Sequence, residues 1–291
     1  MRIFITGGGG QLAYDLKRVF EEEELFAPGR KELDITDFEK VTEAVEKFRP
    51  DLLINTAAFH KVDLCEREPE KAFLVNAVAV RVLAKLAQRL GFVLVHISTD
   101  YVFGGEKRTP YREGDRPFPL SVYANSKLAG EYFVAAIAEK HYIIRTCGLF
   151  GIGGLHTSHS NFVERMIKAA KERRKLRIVS DQWVSPTYTL ELAEHIKKIV
   201  STGDYGLYHA SSEGQCTWYE FALKIFEYAG LEAEVEPVTA EEFAAPARRP
   251  AYSVLENSRL KAKGLNSFSH WQEALRRYFK ERDRLFGKEA K

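Results

Sequence analysis

Short apolar runs of strand length alternate with longer helical patterns through the first half of the chain, the signature of a parallel sheet covered on both faces. Arg2 to Thr6 reads as the first strand, Gln11 to Glu23 as a helix, and Leu25 to Ala27 as a short second strand. Phe38 to Phe48 is the next predicted helix, with Thr36 or Asp37 as its N-cap, and "DLLINTA" (Asp51 to Ala57) follows as a buried strand. A long helix is expected from Pro69 to Leu90, closed by Gly91 where a left-handed C-cap belongs. "FVLVHIS" is the fourth strand, Gly104 to Pro119 a loop over the strand ends, Ser121 to Lys140 a helix, and "YIIRTC" the fifth strand.

Beyond Phe150 the rhythm changes. Helices are predicted at Asn161 to Arg174, Thr189 to Ser201 and Trp218 to Ala229, separated by short strands and proline-bearing loops. The expected fold class is therefore α/β, a doubly wound parallel sheet of Rossmann type with a smaller α+β C-terminal substrate region. Residues 1–150, together with about 184–202, are assigned to the dinucleotide-binding domain. Residues 151–183 and 203–291 are assigned to the substrate-binding region.

Composition narrows the classes of function. A formal charge of +2 on 291 residues gives no reason to expect nucleic acid or a membrane surface as partner. No run approaches the length of a membrane span and Met1 opens straight into strand sequence, so a cytoplasmic protein is expected. Cys65, Cys147 and Cys216 are scattered and odd in number, and read as small buried hydrophobes. His60, His96, His156 and His159 have no carboxylate or cysteine at ligand spacing, so no metal is expected.

Four consecutive glycines, Gly7 to Gly10, stand directly behind the first strand. Glycine costs backbone entropy, so the position must need a positive φ or a bare backbone. Read as G-x-x-G-x-x-A, Gly7 allows the tight turn, Gly10 lets N–H groups approach a pyrophosphate, and Ala13 keeps helix and strand close. At the end of the second strand, where a carboxylate would bind ribose hydroxyls, the chain has Gly29 and Arg30, and an arginine there suits a 2′-phosphate. Asp34 and Ile35 fall where the adenine should lie, and Ala57 and Ala58 leave room for the cofactor to pass. Gln11, Leu12 and Phe59, with Tyr123 and Lys127, complete the candidate cofactor set, for which NADP(H) is preferred and NAD(H) is the alternative.

"YANSK" places Tyr123 and Lys127 one helical turn apart on one face. A phenol of pKa ~10 is a poor proton donor unless a nearby cation stabilises its phenolate. Lys127 can supply that charge, and Thr99 at the end of the fourth strand can bond the carbonyl oxygen being reduced. Asn76, polar within an apolar helix, is a candidate to hold a water that links Lys127 to solvent.

With these residues in place the chain resembles the extended short-chain dehydrogenases and, within them, the dTDP-4-dehydrorhamnose reductases. The resemblance runs almost end to end through "TGGGGQL", "LDITD", "STDYVFGG", "YANSKLAGE", "NFVERMI", "SDQWVSPTYT" and "RRPAYSVLEN". It implies reduction of the 4-keto group of a deoxyhexose on a nucleoside diphosphate by NADPH or NADH, on the route to a rhamnose donor for polysaccharide. By the same resemblance Tyr123, Lys127, Thr99 and Asn76 form the catalytic set. Thr99, Asp100, Asn161, Arg248 and Arg249 form the substrate set, the arginines holding the diphosphate. The implied partner is a small-molecule sugar nucleotide, and a homodimer is compatible with the sequence. Two positions depart from the family pattern. Ala13 replaces a usual glycine, and Gly148 in "RTCGLFG" stands where a tryptophan commonly meets the sugar, which leaves the sugar open. The alternatives are a sugar-nucleotide epimerase or dehydratase, and a cofactor-binding subunit similar to the regulatory subunit of methionine adenosyltransferase.

Overall fold

The computed structural model describes residues 1–156, 161–172 and 175–287. In chain order the strands are β1 (Arg2–Thr6), β2 (Glu24–Phe26), β3 (Leu52–Asn55), β4 (Val93–Thr99), β5 (His141–Thr146), β6 (Leu176–Val179), β7 (Trp183–Val184), β8 (Gly206–His209), β9 (Cys216–Thr217) and β10 (Val235–Val238). The helices of the first half are α1 (Gln11–Val19), α2 (Phe38–Phe48), α3 (Val62–Arg67), α4 (Pro69–Phe73), α5 (Ala79–Leu90) and α6 (Val122–Ile137). Those of the second half are α7 (Phe162–Lys171), α8 (Thr189–Val200), α9 (Trp218–Ala229), α10 (Ala240–Phe243), α11 (Ser258–Ala262) and α12 (Trp271–Phe286).

Six parallel strands form the main sheet in the order β2-β1-β3-β4-β5-β8. Their alternation divides the core. Ile3, Ile5, Ile54, Val95 and Ile144 pack under α1 and α8, whereas Phe4, Leu53, Leu94 and Ile143 pack under α2, α5 and α6. The chain winds to one side of β1 through β2 and to the other through β3. That reversal is where a doubly wound sheet opens a crevice at its carboxyl edge. A separate core around Phe150, Tyr188, Phe221 and Tyr278 gathers α7, α9 and α12. Two small sheets, β10-β6 parallel and β7-β9 antiparallel, complete that half.

The doubly wound fold matches the expectation, with three differences. Gly206–His209, assigned from sequence to the substrate region, is instead the sixth strand of the main sheet, because the open edge of β5 pairs with it from Tyr142↔Gly206 to Arg145↔His209. α3 has no counterpart among the predicted helices, since its six residues are too few for a visible period. The helix expected over Pro69 to Leu90 is interrupted by a π-helical segment, Leu74–Val78, which widens one turn around Asn76. Gly91 closes α5 with φ +79°, as the sequence predicts.

Candidate active site

The glycine loop lies at the crevice. Gly7 has φ +70°, and a Cβ there would stand 2.9 Å from the backbone nitrogen of Ala57, so β1 and β3 turn against each other with no room between. Gly8, which the fingerprint left unassigned, is tighter: its Cβ would lie 2.0 Å from the Ala27 carbonyl oxygen, and its N–H donates to Pro28 at 2.9 Å. Around Gly9 there is open space, and around Gly10 only the Gly7 carbonyl. Gly10 is the N-cap of α1, and no side chain caps that first turn. A bare loop ahead of an uncapped helix start is a fit for a pyrophosphate. Ala13 is fully buried against the strand, and Leu12 is also buried, so only its backbone can serve a cofactor. Gln11 turns inward, its Nε2 donating to Leu149 at 3.1 Å.

At the adenine end Arg30 is 72% exposed and ion-paired with Asp34 at 3.1 Å. Asp34 also accepts from the amide and hydroxyl of Thr36, while Glu32 accepts from the Gly29 amide. Although Gly29 and Arg30 stand where a carboxylate is usual, two acids crowd the turn. Ile35 is buried in the core, and Ala57, Ala58 and Phe59 are half-buried past the end of β3.

Thr99 ends β4, and Ser121 caps α6 by accepting from the Ala124 amide at 3.2 Å. That start sets Tyr123 one turn before Lys127 and beside Thr99. Burial pushes the Tyr123 phenol above its ordinary range, and a hydrogen bond with Thr99 pulls it back. Lys127 is 2% exposed and donates to the Ile97 carbonyl at 2.6 Å. Burial lowers its ammonium to about 8, with Glu131 acting upward. Glu131 is in turn held by Arg145, Nη2 to Oε2 at 2.6 Å, and by the Ser98 hydroxyl. Tyr123 therefore keeps its proton at neutral pH with a labile cation one turn away.

Three candidates take different places from those expected. The Asn76 amide spends both ends on protein: Oδ1 accepts from the Phe59 amide at 2.8 Å, and Nδ2 donates to the Phe59 carbonyl and Ser126 Oγ. Its side chain clamps the cofactor-side loop to α6. Asn161 is likewise committed, capping α7 through the Glu164 amide and donating to the Gly151 carbonyl at 3.0 Å. Asp100, 2% exposed, lies beneath Thr99, its carboxyl raised to about 6 by burial against hydrogen bonds from Ser253, Cys147 and Thr99.

The two arginines part. Arg248 is exposed, whereas Arg249 binds Asp63 through both nitrogens at 3.0 and 2.8 Å and sits beside Tyr101. Arg165 of α7 approaches Arg249 closely enough that burial and this second cation both lower its pKa, and no carboxylate pairs with it among the described residues. Sequence reading missed Arg165, whose only signal was its place in "NFVERMI". Gly148 has φ +52°, and the ring of Trp218 lies 3.4 Å from where its Cβ would be. Trp218, its ring tilted against that of Phe162 with centroids 4.8 Å apart, lies on this side of the cleft, and Phe150 is buried in the core. Nothing local in the sequence ties α9 to β5, so the place of Trp218 beside Gly148 was not legible there. No group of three or more His, Cys, Asp or Glu among the described residues is placed to hold a metal, and His159 lies outside them. No helix among the described residues is long and apolar enough to cross a membrane.

A phosphate cradle at the sheet's reversal point, with a Tyr–Lys pair beside it, defines a nicotinamide-dependent reductase of the short-chain type. Comparison with known proteins narrows this class. The family described as RmlD substrate binding domain matches residues 1–284. Spore coat polysaccharide biosynthesis protein SpsK of Bacillus subtilis (strain 168) is 43% identical over 283 residues, covering 97% of this chain and 98% of its own. The dTDP-4-dehydrorhamnose reductase of Streptomyces griseus is 39% identical over 287 residues, covering 96% and 93%. The crystal structure of dTDP-4-dehydrorhamnose reductase from Bacillus anthracis str. Ames in complex with NADP superposes with a TM-score of 0.91 at 41% identity, covering 96% of this chain and 99% of that one. The chain belongs to the dTDP-4-dehydrorhamnose reductase family.

Proposed function

We propose that the protein reduces the 4-keto group of a nucleoside-diphosphate deoxysugar with NADPH, its substrate being dTDP-4-dehydro-L-rhamnose and its product dTDP-L-rhamnose. The observation that carries the reading is the convergence of Thr99, Tyr123 and Lys127 at the carboxyl end of β4, on the same edge of the parallel sheet as the open glycine loop. The residues fit the cofactor: Gly9, Gly10 and the uncapped first turn of α1 would hold its pyrophosphate, Ala57 and Ala58 would border it, and Arg30 would meet a 2′-phosphate. When bound, NADPH supplies the hydride for C4 of the sugar.

Tyr123 gives its proton to the ketone oxygen, and Thr99 Oγ1 orients that oxygen by a hydrogen bond. Lys127, as ammonium, makes the phenolate left behind tolerable. Arg249 and Arg165 hold the diphosphate, whose negative charge offsets the repulsion between them. Asp100 and Asn76 support the site from beneath. A dehydratase reading has less support, since only one carboxylate, Asp100, follows Thr99 and it is enclosed.

The test is steady-state reduction of dTDP-4-dehydro-L-rhamnose by purified protein, with Tyr123→Phe alongside. The variant should lose about 10²- to 10⁴-fold in turnover with NADPH affinity unchanged. NADPH binding without reduction of any 4-ketosugar nucleotide would favour the regulatory-subunit reading instead.

A further inference from the structure

A polar row crosses the centre of the main sheet on the face covered by α6. Parallel register sets Thr6 opposite Asn55 and Asn55 opposite His96, so the three side chains stand side by side on adjacent strands. They are 3%, 1% and 0% exposed. Thr6 Oγ1 donates to Asn55 Oδ1 at 2.6 Å, and Asn55 Nδ2 lies 3.0 Å from His96 Nδ1. His96 Nε2 lies 3.4 Å from Lys127 Nζ. Gly130 lets α6 lie this close, since a Cβ there would collide with the Asn76 carbonyl at 2.3 Å while only touching His96 Nε2 at 3.4 Å.

The row fixes where the ring carries its proton. With the Thr6 hydroxyl donating to the Asn55 oxygen, the Asn55 amide nitrogen faces His96, and in that arrangement Nδ1 accepts. Burial first, and the neighbouring Lys127 second, hold His96 well below its ordinary pKa, so the ring is neutral and has one N–H. That N–H is on Nε2, aimed at Lys127. An ammonium cannot donate to it, and the 3.4 Å contact is longer than the about 2.7–3.2 Å of an ordinary bond from nitrogen. Once Lys127 loses a proton its lone pair can accept, and the same geometry becomes a hydrogen bond.

We propose that His96, fixed in its Nε2–H form by Thr6 and Asn55, is a positioning residue that favours the neutral state of the Lys127 amine and thereby sets the alkaline limit of the reaction. This rests on the reading of Lys127 as the lysine of the site. The other charged group acting on Lys127 is Glu131 from its own helix, with Arg145 of β5 behind it, and Tyr123 precedes Lys127 by one turn. Glu131 opposes His96, but Arg145 holds its carboxylate with two nitrogens and Ser98 bonds it as well.

The experiment compares wild type, Thr6→Val and Asn55→Asp, each loaded with NADP⁺, by ¹⁵N NMR of labelled histidine, His96 being assigned from the signal lost in His96→Gln. The pH profile of kcat is measured on the same proteins. Wild-type His96 should be the neutral Nε2–H form from pH 6 to 9. Thr6→Val keeps the shape but frees the Asn55 amide to turn, and Asn55→Asp offers only acceptors to Nδ1. Both variants should carry the proton on Nδ1, present Nε2 to the ammonium as an acceptor, and move the alkaline limb upward by roughly half a pH unit or more. A wild-type Nδ1–H form overturns the proposal, and so does an unmoved limb in a folded variant. If Thr6→Val fails to fold, the wild-type spectrum and Asn55→Asp still decide it. Retained turnover in Lys127→Met would overturn the reading of the site, a result separate from the tautomer measured by NMR.

Discussion

Arg30 shows how one exposed side chain can decide between cofactors. Its guanidinium leans on Asp34, whose carboxyl stays below the usual range although burial acts upward, through bonds to Thr36 and Arg30. A 2′-phosphate must draw Arg30 away from that carboxylate and offers more charge than it removes. A charge-assisted bond is worth about 1.5 to 3 kcal/mol, and part of it is spent on breaking the Asp34 pair. Arg30→Ala should therefore weaken NADPH about tenfold and leave NADH nearly unchanged, as read by quenching of protein fluorescence. Equal losses for both cofactors would place Arg30 away from the phosphate. At this scale the sequence is most legible where chemistry is local. Tyr123 and Lys127 announce themselves by spacing on one helix, and Thr99 by ending a strand. Arg165 and Asp63 do not, because their neighbours Arg249 and Ala247 lie far along the chain. The protein partners of Asn76 and Asn161 were hidden for a different reason: a buried amide looks free in a sequence until the backbone groups that satisfy it are known.

Two of the glycines behind β1 separate fold from function. Gly8 has no room for a side chain, since its Cβ would meet the Ala27 carbonyl at 2.0 Å, and Gly9 has nothing within 4 Å. Gly8→Ala should lower Tm and cofactor affinity together, because the loop must move away from Ala27. Gly9→Ala should leave stability nearly unchanged, within about 0.5 kcal/mol, yet weaken NADPH by about tenfold or more, as its methyl enters the cradle. Thermal melts with and without cofactor distinguish these outcomes, and a Gly9→Ala protein that binds NADPH normally would move the cradle elsewhere. Between elements, α9 delivers Trp218 to the end of β5 where Gly148 leaves space. Gly148→Trp should misfold locally, because φ +52° and Pro186 at 3.3 Å both resist a Cβ. Trp218→Ala should raise KM for the sugar nucleotide and blur discrimination among 4-ketosugars, with kcat/KM falling about ten- to a hundredfold. Unchanged selectivity would show that Trp218 serves only its contact with Phe162. The run from Pro69 to Leu90 was legible as helix, but the π segment inside it was not, since it depends on α6 lying against Asn76.

For the whole molecule, the alternation of apolar runs and amphipathic stretches was enough to give the doubly wound sheet, but the return of Gly206–His209 to its edge was not. That short strand has little apolar character of its own and exists because β5 offers unpaired backbone. Burial of titratable groups across both halves then dictates how the protein meets acid. His195 and His209 are buried neutral, lowered to about 4 and about 3 by desolvation first, and His96 is lowered by the same cause. Below their ordinary 6.5 the unfolded chain takes up protons that the folded protein refuses, so their stabilisation, full above that pH, is lost as pH falls toward the folded values. Asp15 and Asp100 act with the opposite sign. Desolvation raises both to about 6, so below that pH the folded protein takes up their protons before the unfolded chain does, and stability is gained until the ordinary carboxylate range near 3.8 is reached. Between about 6.5 and 6 only the histidines act. Between about 6 and 4 the two carboxyls offset most of their effect, each group contributing up to about 1.4 kcal/mol per pH unit. Below that, Asp204, held near 2 by Lys263 and Arg259, must be protonated and stability falls again. Calorimetric Tm from pH 7.5 to 3 should show a drop, a shoulder and a second drop. Asp15→Asn, which retains the shape but removes one compensating proton, should steepen the shoulder; a smooth fall identical in both proteins would mean that Asp15 titrates as it does in the unfolded chain.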